Sequence, residues 1–504
     1  MGVAAIPITV EVNVDVGIGF HLVGLPDSAV KESQQRIETA LNVYHYKIPG
    51  RKIVVNMAPA DIRKEGSAYD LTLAIGILAA SEQIAGAAEL EDYFILGELS
   101  LDGSLQPVRG ALPIALEARK CKKKGVILPI QNAREAAIVD GIDVLGASDI
   151  KQVIDFFDKG TPIEPTRIDV THAFNDSLDR YEYDFSDVKG QENIKRAMEI
   201  AAAGGHNVIL IGPPGSGKTM LAKRLPSILP PLCLEEALET TKIHSVAGKM
   251  SRYASIISTR PFRAPHHTIS DVALVGGGTH PQPGEISLAH NGVLFLDELP
   301  EFKRQVLEVM RQPLEERRVT ISRSKYSVEF PASFMFIAAM NPCPCGNYNH
   351  PTIACTCKPF EVQNYLSKIS GPLMDRIDLH VEVTPVSHEE LASDKPTERS
   401  ADIRKRVVAA REIQKRRFGG CQGLFANAQM SSRMVREYCR IDEAGQLLLK
   451  QAMDRLGLSA RAYDRILKVA RTIADLDGSP NIEIGHLSEA INFRNLDRDN
   501  WGRR

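Results

Sequence analysis

The sequence predicts an α/β protein of several domains, organised around one nucleotide-binding core with a parallel sheet. Three observations carry that expectation. An apolar run from Val208 to Ile211 enters Gly212-Pro213-Pro214-Gly215-Ser216-Gly217-Lys218-Thr219 and then a helical pattern, the way a buried strand delivers a phosphate loop to a helix N-terminus. A second apolar run, Gly292-Val293-Leu294-Phe295-Leu296, ends in the carboxylates Asp297 and Glu298. Short β patterns alternate with helices before this core, and helical periodicity alone follows it.

Taken in order, residues 1–158 hold strand patterns at Ile8 to Val14 and Lys52 to Asn56 and helical patterns at Ser28 to Leu41 and Leu71 to Ala80, which predicts an α/β or α+β domain. Periodicity lapses over 159–184, where Pro162, Pro165, Asp and Asn accumulate, and this reads as a linker. The α/β core is expected over 185–385. Residues 386–504 read as helical, with starts at Ser387, Ser431 and Glu443 and a long amphipathic stretch from Ser459 to Leu476.

Composition narrows the function classes. With 43% hydrophobic and 25% charged residues in 504, the chain has an ordinary globular balance. A net charge of −2 excludes a blanket attraction to polyanions, so a nucleic-acid site has to be a local basic feature. No apolar run reaches membrane-span length and no secretory pattern opens the chain, so a cytoplasmic protein with no membrane partner is expected. Eight cysteines then argue against a disulfide framework; Cys121, Cys233, Cys421 and Cys439 read as small buried apolar residues.

The phosphate loop dictates its own chemistry. Its glycines let Gly212, Pro213, Pro214, Gly215, Ser216 and Gly217 wrap backbone around the phosphates of ATP, Lys218 meets the β/γ oxygens, and Thr219 offers a hydroxyl to Mg²⁺. Asp297 would hold the Mg²⁺ shell while Glu298 polarises the attacking water. Cys343-Pro344-Cys345-Gly346 and Cys355-Thr356-Cys357 form two thiol pairs around a polar loop, a donor set suited to a closed tetrahedral Zn²⁺ site of structural role; four reduced thiols in a loop is the rival reading.

Three basic features are candidate polymer contacts. Arg317 to Phe330 alternates like a hairpin with Arg323 and Lys325 at its tip, suited to phosphates or simply solvated. Arg263 lies in Arg260-Pro261-Phe262-Arg263-Ala264-Pro265-His266-His267, where adjacent histidines make a poor metal pair. Arg404, Arg411 and Lys415 share a face of a helix that reads more simply as solvated.

The second domain resembles the AAA+ ATPases of the magnesium-chelatase-like branch, and the whole chain is similar to the ComM/YifB family within it. Phe185-Ser186-Asp187-Val188-Lys189-Gly190-Gln191 resembles the AAA+ opening box near the adenine. The resemblance makes Asn341, in Ala338-Ala339-Met340-Asn341-Pro342, the sensor 1 amide that orients the lytic water. It makes Arg376, in Ser370 to Asp378, an arginine finger acting across a subunit boundary, and Arg461, in Leu458 to Ala462, the sensor 2 arginine of a helical lid. Cations at both places answer the charge on the transferred phosphoryl group. A hexameric ring follows from the resemblance, as does a pore position for the hairpin.

The N-terminal domain resembles the Lon proteolytic domain through Gly24-Leu25-Pro26-Asp27, Asn56 to Asp61 and Lys64-Glu65-Gly66. The positions of the Lon serine and lysine fall on Ala68 and Leu112, and Ser67 is one residue off, so a catalytically dead Lon-like domain is expected. Relatives carry one more short strand before Met1-Gly2-Val3, so a trimmed start is also expected.

The resemblance implies an ATP-dependent motor on single-stranded and branched DNA, promoting branch migration in natural transformation, with recombinase machinery as a candidate further partner. The alternative is a magnesium-chelatase-like motor that remodels a protein partner. An ATP-dependent protease fails on Ala68 and Leu112.

Overall fold

A computed structural model describes residues 2–175, 181–250, 255–278, 281–323, 326–348, 350, 352–386, 397–419 and 424–494. The chain forms two compact units, Met1–Leu178 with Leu234–Ser258, and Asp179–Cys233 with Thr259–Arg504. Leu234–Ser258, drawn from the sequence as part of the core, therefore groups with the N-terminal unit. Among the described residues no helix is long and apolar enough to cross a membrane.

In the first unit, Lys52–Ala58 is the middle strand of three, antiparallel to Thr9–Asp15 and parallel to Gly19–Val23. A second sheet runs Tyr93–Ile95, Gly125–Pro129, Asp143–Ala147, all parallel. The expected helices appear as Ser28–Val43, where the Asp27 carboxylate accepts from the Val30 N–H, and Asp70–Ala80. The latter is apolar on nearly every side and buried, and Asp70 at its start is paired with Arg36 at 2.7 Å. Ile37, Val55, Leu71, Ile127 and Phe157 belong to one continuous core.

Part of the segment read as a linker is structured. Pro165 bridges Leu145, Thr166 N–H donates to the Val144 carbonyl at 2.8 Å, and Val170–Asn175 is helical. Backbone pairing at a sheet edge needs no apolar period, so periodicity does not report it.

The second unit is built on a five-stranded parallel sheet in the order Phe262–Arg263, Val293–Leu296, Met335–Met340, Val208–Ile211, Leu379–Glu382. The three central strands are buried throughout, which explains their unbroken apolar runs. Val208, Phe295 and Ile337 share one core with Val407, Ile466 and Ile473 of the C-terminal helices. Ser431 and Ser459 cap Ser432–Tyr438 and Ala460–Leu476, and Asp442 caps Glu443–Leu456. The start expected at Ser387 lies outside the described residues. Cys439 is buried, but Cys121 and Cys233 are exposed, a correction that follows from their places at helix ends; Cys421 lies outside the described residues.

Candidate nucleotide site and cysteine loop

The register of the parallel sheet sets three strand ends side by side. Ile211 pairs with Met340, and Leu296 with Ala338, so Gly212, Asp297 and Asn341 all follow at one carboxyl edge, where open α/β sheets bind ligands. Helix Lys218–Ile228 starts at the same edge, its N-terminus preceded by Gly217 in left-handed conformation. The sequence folds this way because each strand is a short apolar run stopped by residues that cannot stay buried unpaired.

The predicted side chains converge there. Lys218 Nζ donates to the Gly212 and Pro213 carbonyls at 2.8 and 2.9 Å and to Asn341 Oδ1 at 3.3 Å. These oxygens satisfy an ammonium whose pKa burial lowers, with Asp297 opposing the shift. Thr219 Oγ donates to Asp297 Oδ2 at 2.6 Å, so the two candidate Mg²⁺ groups lie close enough to serve one ion. Gln191 of the opening box donates to the Ser216 carbonyl at 3.0 Å, fastening that box to the phosphate loop.

Glu298 occupies the left-handed region with φ 53°, a conformation that a glutamate holds only at some cost. Its Oε2 lies 3.4 Å from His267 Nδ1. A cleft of about 520 Å³ opens in front of it, lined by Glu298, Asn341, Pro344, Glu361, Tyr365 and Lys368, among others. Sequence reasoning passed over Tyr365, and it weighed His267 only as half of a poor metal pair. His267 follows Phe262–Arg263, the strand beside the one that ends in Asp297 and Glu298, a neighbour relation that a sheet order would have revealed. Burial pushes the Tyr365 hydroxyl up to about 12, with Glu301 adding to the shift.

The two arginines are placed differently. Arg461 is exposed in the first turn of Ala460–Leu476. Arg376 is 6% exposed, and its Nη2 is 2.5 Å from Glu315 Oε1. Its main chain is fixed from behind: the Arg376 carbonyl accepts from Asn207 Nδ2 at 3.0 Å and from Arg465 Nη1 at 3.1 Å. Asp378 anchors the same network, accepting from the Asn207 N–H at 2.9 Å and from Arg465. Burial pushes the Asp378 carboxyl up, but Arg465, His206 and Asn207 outweigh it and hold the group far below the usual range.

Beside Asn341, the Sγ atoms of Cys343, Cys345, Cys355 and Cys357 all lie within 4.8 Å of one another. Cys343 is 3.3 Å from Cys345 and 3.7 Å from Cys355, and Cys345 is 3.5 Å from Cys355. Sulfurs held about 2.3 Å from a tetrahedral Zn²⁺ are themselves about 3.8 Å apart, so the donor set fits that ion. The Tyr348 N–H donates to Cys343 Sγ at 3.3 Å and the Cys345 N–H to Cys357 Sγ at 3.4 Å, so backbone donors fix two of the four sulfurs in place. Gly346 has φ +80° and its missing Cβ would meet Pro214 Cδ at 2.5 Å, so the cysteine loop seats directly on the phosphate loop.

The polymer candidates divide. Arg318–Arg323 and Tyr326–Pro331 pair antiparallel to the end, Arg323 opposite Tyr326, so the hairpin forms as expected. Lys325 and the side chain of Arg323 lie outside the described residues. Arg263 is gripped by Glu285 at 2.6 and 2.7 Å in a bidentate pair. Of the basic helix, Arg411 donates to the Phe425 and Ala202 carbonyls, and Arg404 lies over the Tyr181 ring. The solvated face expected there is in part a set of structural ties.

In the first unit, Leu112 is fully buried at the start of Ala111–Lys120, and its N–H donates to Glu135 Oε1 at 3.0 Å. Ser245, on Leu234–Val246, donates to the same carboxylate, and the Gly110 N–H donates to the Ser245 carbonyl at 3.2 Å. Ser67 Oγ donates to Glu98, and Lys64 Nζ to the Pro59 carbonyl.

Family models for magnesium chelatase subunit ChlI match residues 184–391 and 10–132, and the C-terminal model of that subunit matches 397–494. YifB of Escherichia coli, an uncharacterised protein, is 45% identical over 501 residues, 99% of this chain and 96% of its own. The competence protein ComM of Haemophilus influenzae is 44% identical over the same shares. The chain belongs to the ComM/YifB family. Lon protease 2 of Bacillus subtilis is 31% identical over 159 residues, 29% of this chain and 27% of its own. The family is a magnesium-chelatase-like AAA+ group, which implies ATP and Mg²⁺.

Proposed function

We propose that this chain is the subunit of a hexameric ATP-driven DNA motor that moves branched junctions during natural transformation. The observation that carries hydrolysis is the meeting of Lys218, Thr219, Asp297, Glu298 and Asn341 at one sheet edge. Lys218 exchanges its carbonyl partners for the β/γ-phosphate oxygens. Thr219 and Asp297 hold Mg²⁺, which when bound neutralises charge on those oxygens. Glu298 takes the proton from the attacking water, Asn341 orients that water, and Arg376 of one subunit with Arg461 of the other meets the charge that develops. Cys343, Cys345, Cys355 and Cys357 hold a structural Zn²⁺ that stiffens the wall of the site. The N-terminal unit is a Lon-like domain without the catalytic dyad, since neither Ala68 nor Leu112 offers a nucleophile or base.

The DNA half of the reading is supported by the paired hairpin and by the word competence in a relative's name. Phosphate contacts from Arg323 and Lys325 grip strands of any sequence, as a motor requires. Arg263, held by Glu285, leaves the account unless that pair opens. The second reading, remodelling of a protein partner, draws on the chelatase-subunit models that match all three parts of the chain.

A branch-migration assay with fluorescent three- and four-stranded junctions tests the choice. Wild type should move junctions, Glu298→Gln should bind but not move them, and Arg323→Ala with Lys325→Ala should weaken DNA binding alike for all sequences and flatten its salt dependence. Wild-type rings that hydrolyse ATP yet neither bind DNA nor move a junction would leave the protein-remodelling reading standing.

A further inference from the structure

An arginine finger has to leave its own subunit, yet Arg376 is turned inward. Nη2 sits 2.5 Å from Glu315, Nη1 donates to the Pro372 carbonyl at 2.5 Å, and the buried Nε has no partner among the described residues. Glu315 is half exposed, so water competes for its carboxylate and the pair can open. With the Arg376 carbonyl pinned by Asn207 and Arg465, the motion left to the residue is a swing of its side chain. A cavity of about 510 Å³, lined by Glu308, Arg311, Glu315, Thr320 and Arg376 among others, gives that swing room.

Glu315 also belongs to the hairpin. It lies on the short helix Arg311–Glu316, and Arg317, in left-handed conformation, turns the chain straight into Arg318–Arg323. The joint is stiff: the Arg317 N–H donates to the Pro313 carbonyl at 3.0 Å, and the Arg317 carbonyl accepts from the Ala332 N–H of the returning strand at 2.8 Å. Glu315 and both strands of the hairpin thus meet at one hydrogen-bonded joint.

We propose that Glu315 is a latch that holds Arg376 away from the neighbouring subunit until the hairpin engages its polymer, so that stimulation of ATP hydrolysis by DNA runs through the Glu315–Arg376 pair. Glu315 is a positioning residue in this scheme. The inference rests on the finger and hairpin roles proposed above. Coupling is reciprocal: a nucleotide in the neighbour that recruits Arg376 frees Glu315, and with it the base of the hairpin.

The test uses full-length rings and steady-state ATP hydrolysis with and without single-stranded oligonucleotide. Glu315→Ala should raise basal hydrolysis toward the DNA-stimulated rate, about fivefold or more, and bring the stimulation ratio near one. Glu315→Gln, which keeps shape and one hydrogen bond, should shift both in the same direction by less. Because the finger serves a neighbour, the effect must also act in trans: Lys218→Ala, Glu315→Ala subunits mixed with wild type should stimulate hydrolysis above Lys218→Ala subunits mixed alike. A purely structural role for Glu315 would not move that readout. If Arg376→Ala leaves hydrolysis intact, the finger role itself fails. If Arg376→Ala abolishes hydrolysis while both Glu315 variants keep the wild-type ratio, or lower both rates equally, the latch is overturned and the finger stands.

Discussion

The nucleotide edge and the Lon-like positions both bring polar groups to a helix N-terminus, but they finish the job in opposite ways. At the edge, Lys218 rests on two carbonyls and an amide that a phosphate can replace, and Glu298 faces an open cleft. At Leu112, the helix N–H is satisfied by Glu135, which is itself satisfied by Ser245 on a second helix. The first arrangement leaves its donors exchangeable; the second leaves nothing for a ligand to take. A buried polar group therefore signals function only when its present partners are replaceable.

That contrast is broken most directly at the edge. Lys218→Ala should abolish nucleotide binding, measured with a fluorescent ATP analogue, without loss of fold, because it removes a cation whose burial disfavours its charge. Glu298→Gln should keep binding and lower turnover by about 10²-fold or more, as loss of a positioned base does. Wild-type turnover in the Glu298 variant would show that the water is activated elsewhere, and would undo the distinction between exchangeable and satisfied groups.

How far the sequence disclosed this edge follows from how its residues are positioned. The convergence of Lys218, Thr219, Asp297 and Asn341 was legible because each follows an apolar strand within the same short segment, so local pattern and position at the sheet edge coincide. His267, Tyr365 and Glu315 were not, since their roles depend on which strand or helix lies beside them, and a single sequence does not contain sheet order. The grouping of Leu234–Ser258 with the N-terminal unit escaped for the same reason. Its helix, Leu234–Val246, buries mostly small and polar residues such as Thr240, Thr241 and Ser245, and the Glu135 carboxylate that Ser245 meets is more than a hundred residues away in sequence. The cysteine loop lies between these cases: residue type and spacing picked out four thiols able to surround a metal, while the seating of Gly346 on Pro214 depends on the fold.

The cysteine loop also sharpens the comparison, being an internally satisfied cluster that props an exchangeable one. Elemental analysis should find about one Zn²⁺ per chain, lost when Cys343 and Cys345 become serine. With Gly346 no longer held against Pro214, the KM for ATP should rise several-fold while kcat falls less. Metal-free wild-type protein with unchanged KM and thermal stability would detach the loop from the site.

The smallest effect belongs to the satisfied side. Desolvation raises the Glu135 carboxyl pKa, only partly offset by bonds from Ser245, the Leu112 N–H and Asn132. A carboxyl with a raised folded pKa binds its proton more tightly in the native state, so its contribution to stability is full below the ordinary glutamate pKa and is lost as pH rises from there through the raised folded value. Glu135→Gln keeps an oxygen for the Leu112 N–H and has no proton to lose. It should be at least as stable as wild type at pH 7.5, with its advantage shrinking toward pH 4, read by thermal unfolding and by hydrogen exchange at the Leu112 amide. Glu135→Ala leaves that N–H and the Ser245 hydroxyl unpaired and should cost about 1–3 kcal/mol. Neither change should alter ATP turnover. A glutamine variant clearly weaker than wild type at pH 7.5 would mean that the negative charge itself holds the helix N-terminus. The carboxylate would then be a group held ready for a cation, and the two regions would be alike after all.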